Sequence, residues 1–511
     1  MGNNNIRLSE KCKKILLRIF WAVFSASMLI IFAVALSKPL NNLIPWKMAV
    51  YTLVWVVFLA VICAAAFFVE YRFPQWEYRL RRALPIYLAV LGIALFIVSV
   101  CLRSAPVSDY ADVYYAAYNY ANGLEVENWD YFARWNNNVG YMLVLSALFK
   151  LGGLFGGEEA SYYFVLVLNV LQVLMLLRCA VYLAGRVAGR HSFACSFMAL
   201  IVGSLWLPLW ANTSIFYSDQ LSLGAAVFGI TLLVRGRERN RKLPYAVLAG
   251  FFFGAGIILK ATSATLLIAL TAAYVLFMRC REYIKEILVC ALMLVLVFSG
   301  YKMYTAQMPY QENVDILKAP VEYWIALGLN GSGTYGDSEE FAIRCLTAGS
   351  YEERKEIARE QIMENIDNLW NIEHIMAKLR QNFGIGDLGA AGYLIWPEHE
   401  NLLWNWASQE GMYYWKYACL TTSFFFAWLF TTALGGIGMA LKRDYGKEDM
   451  PVFIMSLAFW GLALFLMLWE AQDKQMYNHS GIMILMLVFS MKLLGEEVLN
   501  KCGEIKRIRK K

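Results

Sequence analysis

Charge is scarce in this 511-residue chain: Asp, Glu, Lys and Arg together make up 17%, against 59% hydrophobic residues. With 17 Trp, 30 Tyr and 31 Phe, that balance excludes a disordered or collagen-like protein and an ordinary soluble one. Paired cysteines are also missing. The ten cysteines form no Cys-x-x-Cys pair, and Cys63, Cys179, Cys195, Cys290 and Cys419 lie inside apolar runs, so neither a zinc site nor a disulfide framework is indicated. Histidine is limited to four residues, none at ligand spacing from another; His191 reads as a loop residue, His374 as part of a polar helix and His399 as a surface residue. There is no glycine-rich phosphate loop, internal repeat or heptad array, which leaves an ATP-driven transporter without a visible engine.

What is present is a succession of apolar runs of about 18 to 25 residues, the length that crosses a bilayer. They fall near 15 to 36, 48 to 69, 85 to 102, 161 to 184, 193 to 211, 215 to 234, 243 to 259, 263 to 279, 286 to 304, 412 to 440, 451 to 470 and 479 to 495. The basic stretch Arg7, Lys11, Lys13 and Lys14 precedes a first run too long for a signal peptide and without a small-residue cleavage site, so that run is expected to stay as a span. The net charge of +7 does not point to nucleic acid. The excess sits in alternate short connections, at Arg79, Arg81 and Arg82, at Arg186 and Arg190, at Arg235 to Lys242, at Arg279, Arg281 and Lys285, at Lys442, Arg443 and Lys447, and in the tail Lys506 to Lys511. Basic connections mark the cytoplasmic side, which places both termini there.

The opposite connections are acidic and two of them are long. The expected architecture is an all-α polytopic membrane protein of about 12 spans. Its expected regions are an N-terminal helical pair at 1–84, a core at 85–304 with a first outer loop at 103–160, an extracytoplasmic cap at 305–411, and C-terminal helices with a basic tail at 412–511. Residues 139 to 155 are apolar, but counting them as a span would reverse the charge rule downstream, so an interfacial or re-entrant helix is expected. Residues 338 to 380 read as a soluble helix pair with Ser338 in capping position before Glu339 and Glu340.

Candidate chemistry gathers in the outer segments. Asp109 and Asp112 stand within about one helical turn of each other just beyond the third span. A carboxylate beside an apolar face serves as a general base or holds a divalent cation; the plain alternative is that Asp109 caps the following helix and Asp112 is solvated. Asp219 begins a span rather than sitting in a polar loop, and Lys260 ends one; a lone lysine there otherwise snorkels. The last outer turn, WEAQDKQMYNHS, supplies Glu470, Lys474, Tyr477 and His479. Acids and a lysine from separate spans on one face suit a substrate with an anionic leaving group.

The order of these elements resembles the GT-C class of membrane glycosyltransferases, within it the protein O-mannosyltransferase and lipid A aminoarabinose transferase superfamily. The similarity is carried by SDYADVYYAAYNYANG at 108 to 123, by the helix at 139 to 155, by Asp219, by the Gly-rich span ending in Lys260, and by the turn from Lys474 to Tyr477. Many relatives have an adjacent Asp-Glu pair where Asp109 and Asp112 are separated by Tyr110 and Ala111, and an Arg-Tyr pair where this chain has DKQMY. The resemblance implies inverting transfer of a sugar from a polyprenyl-phosphate donor to an acceptor hydroxyl on a glycan, lipid or protein outside the cytoplasm. It implies Asp109 or Asp112 as base and Lys260, joined by Arg134 or Lys474, at the leaving phosphate; Asp219, Tyr477 and His479 of the outer turns are the further substrate-binding candidates, and Asp109, Asp112 and Asp219 the candidate ligands should a divalent cation take part. Trp129, Tyr131 and Trp135 would stack on the sugar or line the lipid interface.

The rival from another class is a lipid flippase or secondary transporter, which calls for helices broken at mid-membrane and for repeat symmetry. A polymerase or ligase would carry outer arginines instead of the acidic first loop, and a receptor role leaves Asp109, Asp112 and Asp219 unexplained. Sequons at Asn212, Asn330 and Asn478 fall on the expected outer face and matter only in a secretory pathway. The compact form favours a bacterial plasma membrane.

Overall fold

The computed structural model describes residues 10–508; Arg7, Arg509, Lys510 and Lys511 lie outside the described residues. Helices and short turns of helix account for the named elements, and the one isolated bridge joins Ser104 to Pro397. Among the described residues nine helices are long and apolar enough to cross a membrane: Glu10–Ser37, Pro45–Arg72, Trp76–Cys101, Gly157–Val187, Lys242–Leu259, Tyr283–Thr305, Tyr414–Leu441, Lys447–Leu468 and Asp473–Glu496. A tenth is obtained if the pair Ser192–Ser204 and Leu207–Ser214, bent by 57°, is one span.

Twelve spanning helices are therefore not reached. The segments expected at 215 to 234 and 263 to 279 yield the helices Ala225–Glu238 and Ala264–Phe277, of 14 residues each. At 1.5 Å per residue each is about 21 Å long, short of the ~30 Å hydrocarbon layer. The missing turns are taken up by the short helix Ser218–Leu221 and the turn Ala261–Ser263, which carry or adjoin Asp219 and Lys260.

Two ends of the bundle can be told apart by their contacts. At one, Lys14 pairs with Asp444, Arg186 with Glu238 and Arg237 with Glu286, while Lys13 lies over Phe277 and Arg237 over Tyr274 of the same helix, so these basic connections share an end. At the other, Arg103 pairs with both Glu159 and Glu398, tying the third and fourth spans to the segment near 398, and Leu40 N–H donates to Gly384 O. We call the second the cap end.

The centre of the bundle is the first part of the helix Ser480–Ile508, where every residue from 480 to 491 is buried, packed on Tyr414–Leu441. A helix that is apolar on all sides belongs in a core. Close approach here depends on Gly435, where an added Cβ would come within 2.8 Å of the Ser490 Cα. By contrast Leu288, Leu292, Val295 and Leu296 of the helix Cys280–Thr305 are exposed, as lipid-facing residues are. Hydroxyls within helices fold back onto their own backbone, Ser25 onto Trp21 O and Ser99 onto Leu95 O, which satisfies them without water.

The helix at 139 to 155 forms as Val139–Gly153 and buries Tyr141, Met142, Leu145 and Phe149 against its neighbours, with Val144 and Leu151 exposed. The expected pair at 338 to 380 is three helices, Glu339–Leu346, Tyr351–Glu364 and Ile372–Phe383. Ser338 does not cap by its side chain; its Oγ is buried without a hydrogen-bond partner among the described residues. The break falls at Ser350, whose Oγ accepts from Glu353 N–H while Glu353 accepts from Gly349 N–H, a sequence signal for a second start. Tyr323, Leu327, Phe341, Cys345 and Ala358 make the cap its own small core.

Candidate functional site

At the cap end the helices break, and the exposed backbone of the breaks is taken up by side chains. Asn169 of the helix Gly157–Val187 donates to Thr213 O and Ile215 O, and Gln172, one turn on, donates to Leu221 O. Irregular backbone is tolerated beside a membrane core only when it is buried in protein or lines a cavity, and these two amides meet that condition. They are polar residues inside an apolar run, a signal of the break that the sequence carries and that composition alone does not reveal.

The break positions Asp219 in the first turn of Ser218–Leu221 and buries it to 4% exposure. Lys260, which ends the helix Lys242–Leu259, donates from Nζ to Asp219 Oδ2 at 3.0 Å. The other carboxylate oxygen, Oδ1, is buried with no hydrogen-bond partner among the described residues. Lys474 approaches from the last turn; its Nζ donates to the Tyr393 hydroxyl at 2.8 Å and lies 5.3 Å from the centre of the Tyr217 ring, with Lys260 Nζ 5.9 Å from the same ring. Tyr217 thus has two ammonium groups within 5.9 Å of its ring centre and belongs to a cluster with Tyr110, Tyr141 and Tyr393. Gly389 has φ +77°, and an added Cβ there would meet the Lys474 Cβ at 2.5 Å, so only glycine lets this strap lie against the lysine.

Asp109 and Asp112 divide. Asp109 opens the helix Asp109–Ala121, is partly buried, and lies within electrostatic range of Lys474, Tyr217, Tyr131 and Glu470. The N-cap position belongs to Ser108, so the capping alternative for Asp109 does not hold. Asp112 accepts from Asn128 Nδ2 at 2.9 Å. Burial raises the Asp112 carboxyl above the ordinary range, with the Asn128 bond opposing and Asp109 adding to it. Glu470 is buried beside the same lysines and accepts from Gln472; burial raises its carboxyl too.

The remaining expected residues hold the frame or stand apart. Tyr477 donates to Gln220 Oε1 at 2.6 Å. Both ring nitrogens of His479 are engaged within the protein, Nδ1 with Asn478 Oδ1 and Nε2 with Thr265 Oγ1, and Asn478 donates to Thr262, which ties the turn after Lys260 to the last turn. Arg134 lies under the cap near Tyr323 and Arg354. Trp135 packs on Tyr323 and Trp324, Trp129 on Tyr120 and Phe132, and the Tyr131 hydroxyl accepts from Asn138, so these aromatics are engaged within the protein. Among the described residues no group of three or more His, Cys, Asp or Glu is arranged to hold a metal ion; Asp219 is drawn to Lys260 rather than to Asp109 and Asp112. Asn212 and Asn478 are buried, and of the three sequons only Asn330 is partly accessible. Tyr217, Tyr393 and Gln220 were not singled out by the sequence, since they meet the charged residues only through the fold.

The sequence profile of a family described as conserved hypothetical integral membrane protein matches residues 8–491, and the chain belongs to that family. No curated protein matches significantly. A solved structure, ArnT from Cupriavidus metallidurans bound to undecaprenyl phosphate, is loosely similar: 13% identity, covering 80% of this chain and 77% of its own, with a TM-score of 0.31. With its apolar helices, the chain is a multi-pass membrane protein.

Proposed function

We propose that this member of the conserved integral membrane family is a GT-C-type glycosyltransferase that moves a sugar from a polyprenyl-phosphate carrier to an acceptor hydroxyl, with inversion. The cap end faces away from the cytoplasm in this reading, since the basic connections share the other end. The membrane would be a bacterial plasma membrane.

The observation that carries the reading is the pair of lysines, Lys260 and Lys474, brought to one tyrosine ring at the bundle end with Asp109 in electrostatic range. A lipid carrier would leave its chain among the apolar helices and its phosphate at the ammonium groups. As the sugar–phosphate bond breaks, negative charge grows on the phosphate oxygens, and fixed cations in a desolvated site favour that state over the intact donor. Asp219 neutralises Lys260 when the site is empty and keeps it pointed inward. The acceptor hydroxyl loses its proton as its oxygen bonds the anomeric carbon, and Asp109 would take it, a contribution of roughly 10² to 10⁴ in rate. Asp112, held by Asn128, would keep the first turn of the helix in place. No step in this account requires a bound metal ion.

The rival transport reading calls for breaks at mid-membrane, whereas Asp219 and Lys260 sit at breaks near the cap end. The test is release of polyprenyl phosphate from polyprenyl-phosphate hexoses by the detergent-purified protein with crude envelope acceptors. Wild type is expected to release it and Lys260→Met to lose most of the rate while still folded. Release from neither across several donors, with carrier crossing in vesicles instead, would favour transport.

A further inference from the structure

A second group of cations lies beneath the cap and is not used by the chemistry above. The carbonyl of Arg134 accepts from Ala319 N–H, Trp135 packs on Tyr323 at 5.7 Å, and Arg354 donates to the carbonyls of Ile316 and Ala348. These contacts bring Arg134, Tyr323 and Arg354 together from the first loop and from two cap helices. Tyr323 is 1% exposed and Arg354 2%, whereas Arg134 is partly open.

Their polar atoms are left over. Arg134 Nε, Arg354 Nε and the Tyr323 hydroxyl are all buried without a hydrogen-bond partner among the described residues. The protein partners of Arg354 are neutral carbonyls, and the charges of the two guanidiniums act on each other. Glu353 offsets part of that repulsion for Arg354, but neither guanidinium has a carboxylate ion pair among the described residues, and buried N–H groups left unpaired beside like charge are costly unless an anion joins them. Planar guanidinium donors with a hydroxyl beside them suit a tetrahedral or trigonal oxyanion. Trp324, next to Tyr323, stacks on Trp469, next to Glu470, at 6.0 Å, so the cap subsite and the last outer turn that carries Lys474 are in contact.

We propose that Arg134, Tyr323 and Arg354 form a second anion subsite that receives a phosphate or carboxylate carried by the acceptor. Naming the acceptor rests on the glycosyl-transfer reading; the anion site does not. Arg134 is the open side of the subsite, and Tyr323 and Arg354 form its floor.

The experiment is equilibrium dialysis of the full-length protein in detergent with labelled inorganic phosphate, with acetate as competitor. Arg134→Gln is expected to weaken one class of phosphate sites by roughly tenfold or more, the loss of a charge-assisted pair. Lys260→Met is expected to leave that class unchanged, and Arg134→Lys, which keeps the charge, to give intermediate affinity. Competition by acetate would assign the subsite to carboxylates, and its failure to phosphates; both support an anion subsite. Phosphate binding by Arg134→Gln equal to wild type overturns it, and if that variant does not fold, unchanged binding by Arg134→Lys does so. Loss in Arg134→Gln without any sugar transfer by wild type would keep the subsite and reject the glycosyltransferase reading.

Discussion

Lys260 and Asp219 are a buried pair whose separate removal and joint removal have different consequences. Lys260→Met strands a carboxylate at 6% side-chain exposure, and a stranded buried charge costs about 3 to 5 kcal/mol. The double variant Asp219→Asn with Lys260→Met should recover much of the lost thermal stability in detergent while remaining inactive. A double variant as unstable as Lys260→Met alone would show that the pair is not coupled. The sequence exposes these two residues because an acid and a lysine at the ends of apolar runs need a reason to be there. It does not expose Tyr217 or Tyr393, which are two among 30 tyrosines until the fold sets them against the lysines. His479, expected from the sequence to bind substrate, has both ring nitrogens engaged in the fold, with Asn478 and Thr265, which its place in the chain does not reveal.

At the scale of elements, the cap is joined to the bundle by Lys378 of the helix Ile372–Phe383. Its Nζ donates to Gly328 O and Trp469 O, both at 2.7 Å, and the side chain is fully buried. Two acceptors match the two N–H groups of a neutral amine. Burial pushes this lysine down from 10.5 to about 7, with Glu470 opposing. Below about pH 7 the native state holds a buried ammonium; from about 7 to 10.5 the native amine is neutral while the unfolded chain still binds the proton. The unfolded state then binds more protons, so the contribution of this group to stability rises with pH across that window. Melting of wild type compared with Lys378→Met should show that slope only in wild type; parallel curves would contradict it.

The packing of helix on helix makes a second prediction at this scale. Gly435→Ala should push Tyr414–Leu441 away from Ser490 and destabilise by about 1 to 3 kcal/mol, with Ser490→Gly restoring part of the melting temperature. Long, uniformly apolar helices such as these are plain in the sequence from run length alone. The two 14-residue helices are not, because hydropathy continues through Tyr217 and Ile258 while the backbone breaks to carry Asp219 and Lys260. The cap's three helices are legible in part, since Gly349 and Ser350 mark the second start and Asn371 the third, whereas helix formers fill the stretches between them.

For the whole molecule, the basic connections at one end and the long acidic segments at the other form a single polarity. If the cap end is outward, alkaline phosphatase fused within the cap near Thr347 should be active in a bacterial host, and a fusion after Lys447 inactive. The reverse pattern would invert the proposed orientation and move the donor to the cytoplasmic leaflet. Polarity of this kind is legible in the sequence, because it depends on charge counts in connections and not on packing. The junction between bundle and cap is not, since it is made by residues as distant as Arg103 and Glu398, or Lys378 and Trp469.

The central claim is that a carboxylate at Asp109 activates an acceptor hydroxyl while lysines receive the leaving phosphate. The most direct measurement is the rate of polyprenyl phosphate release by Asp109→Asn and Asp112→Asn beside wild type, under saturating donor and with each variant shown to melt as wild type does. A fall of roughly 10² or more in kcat for Asp109→Asn, with a smaller effect for Asp112→Asn, is the predicted result. Equal release by wild type and Asp109→Asn would contradict it.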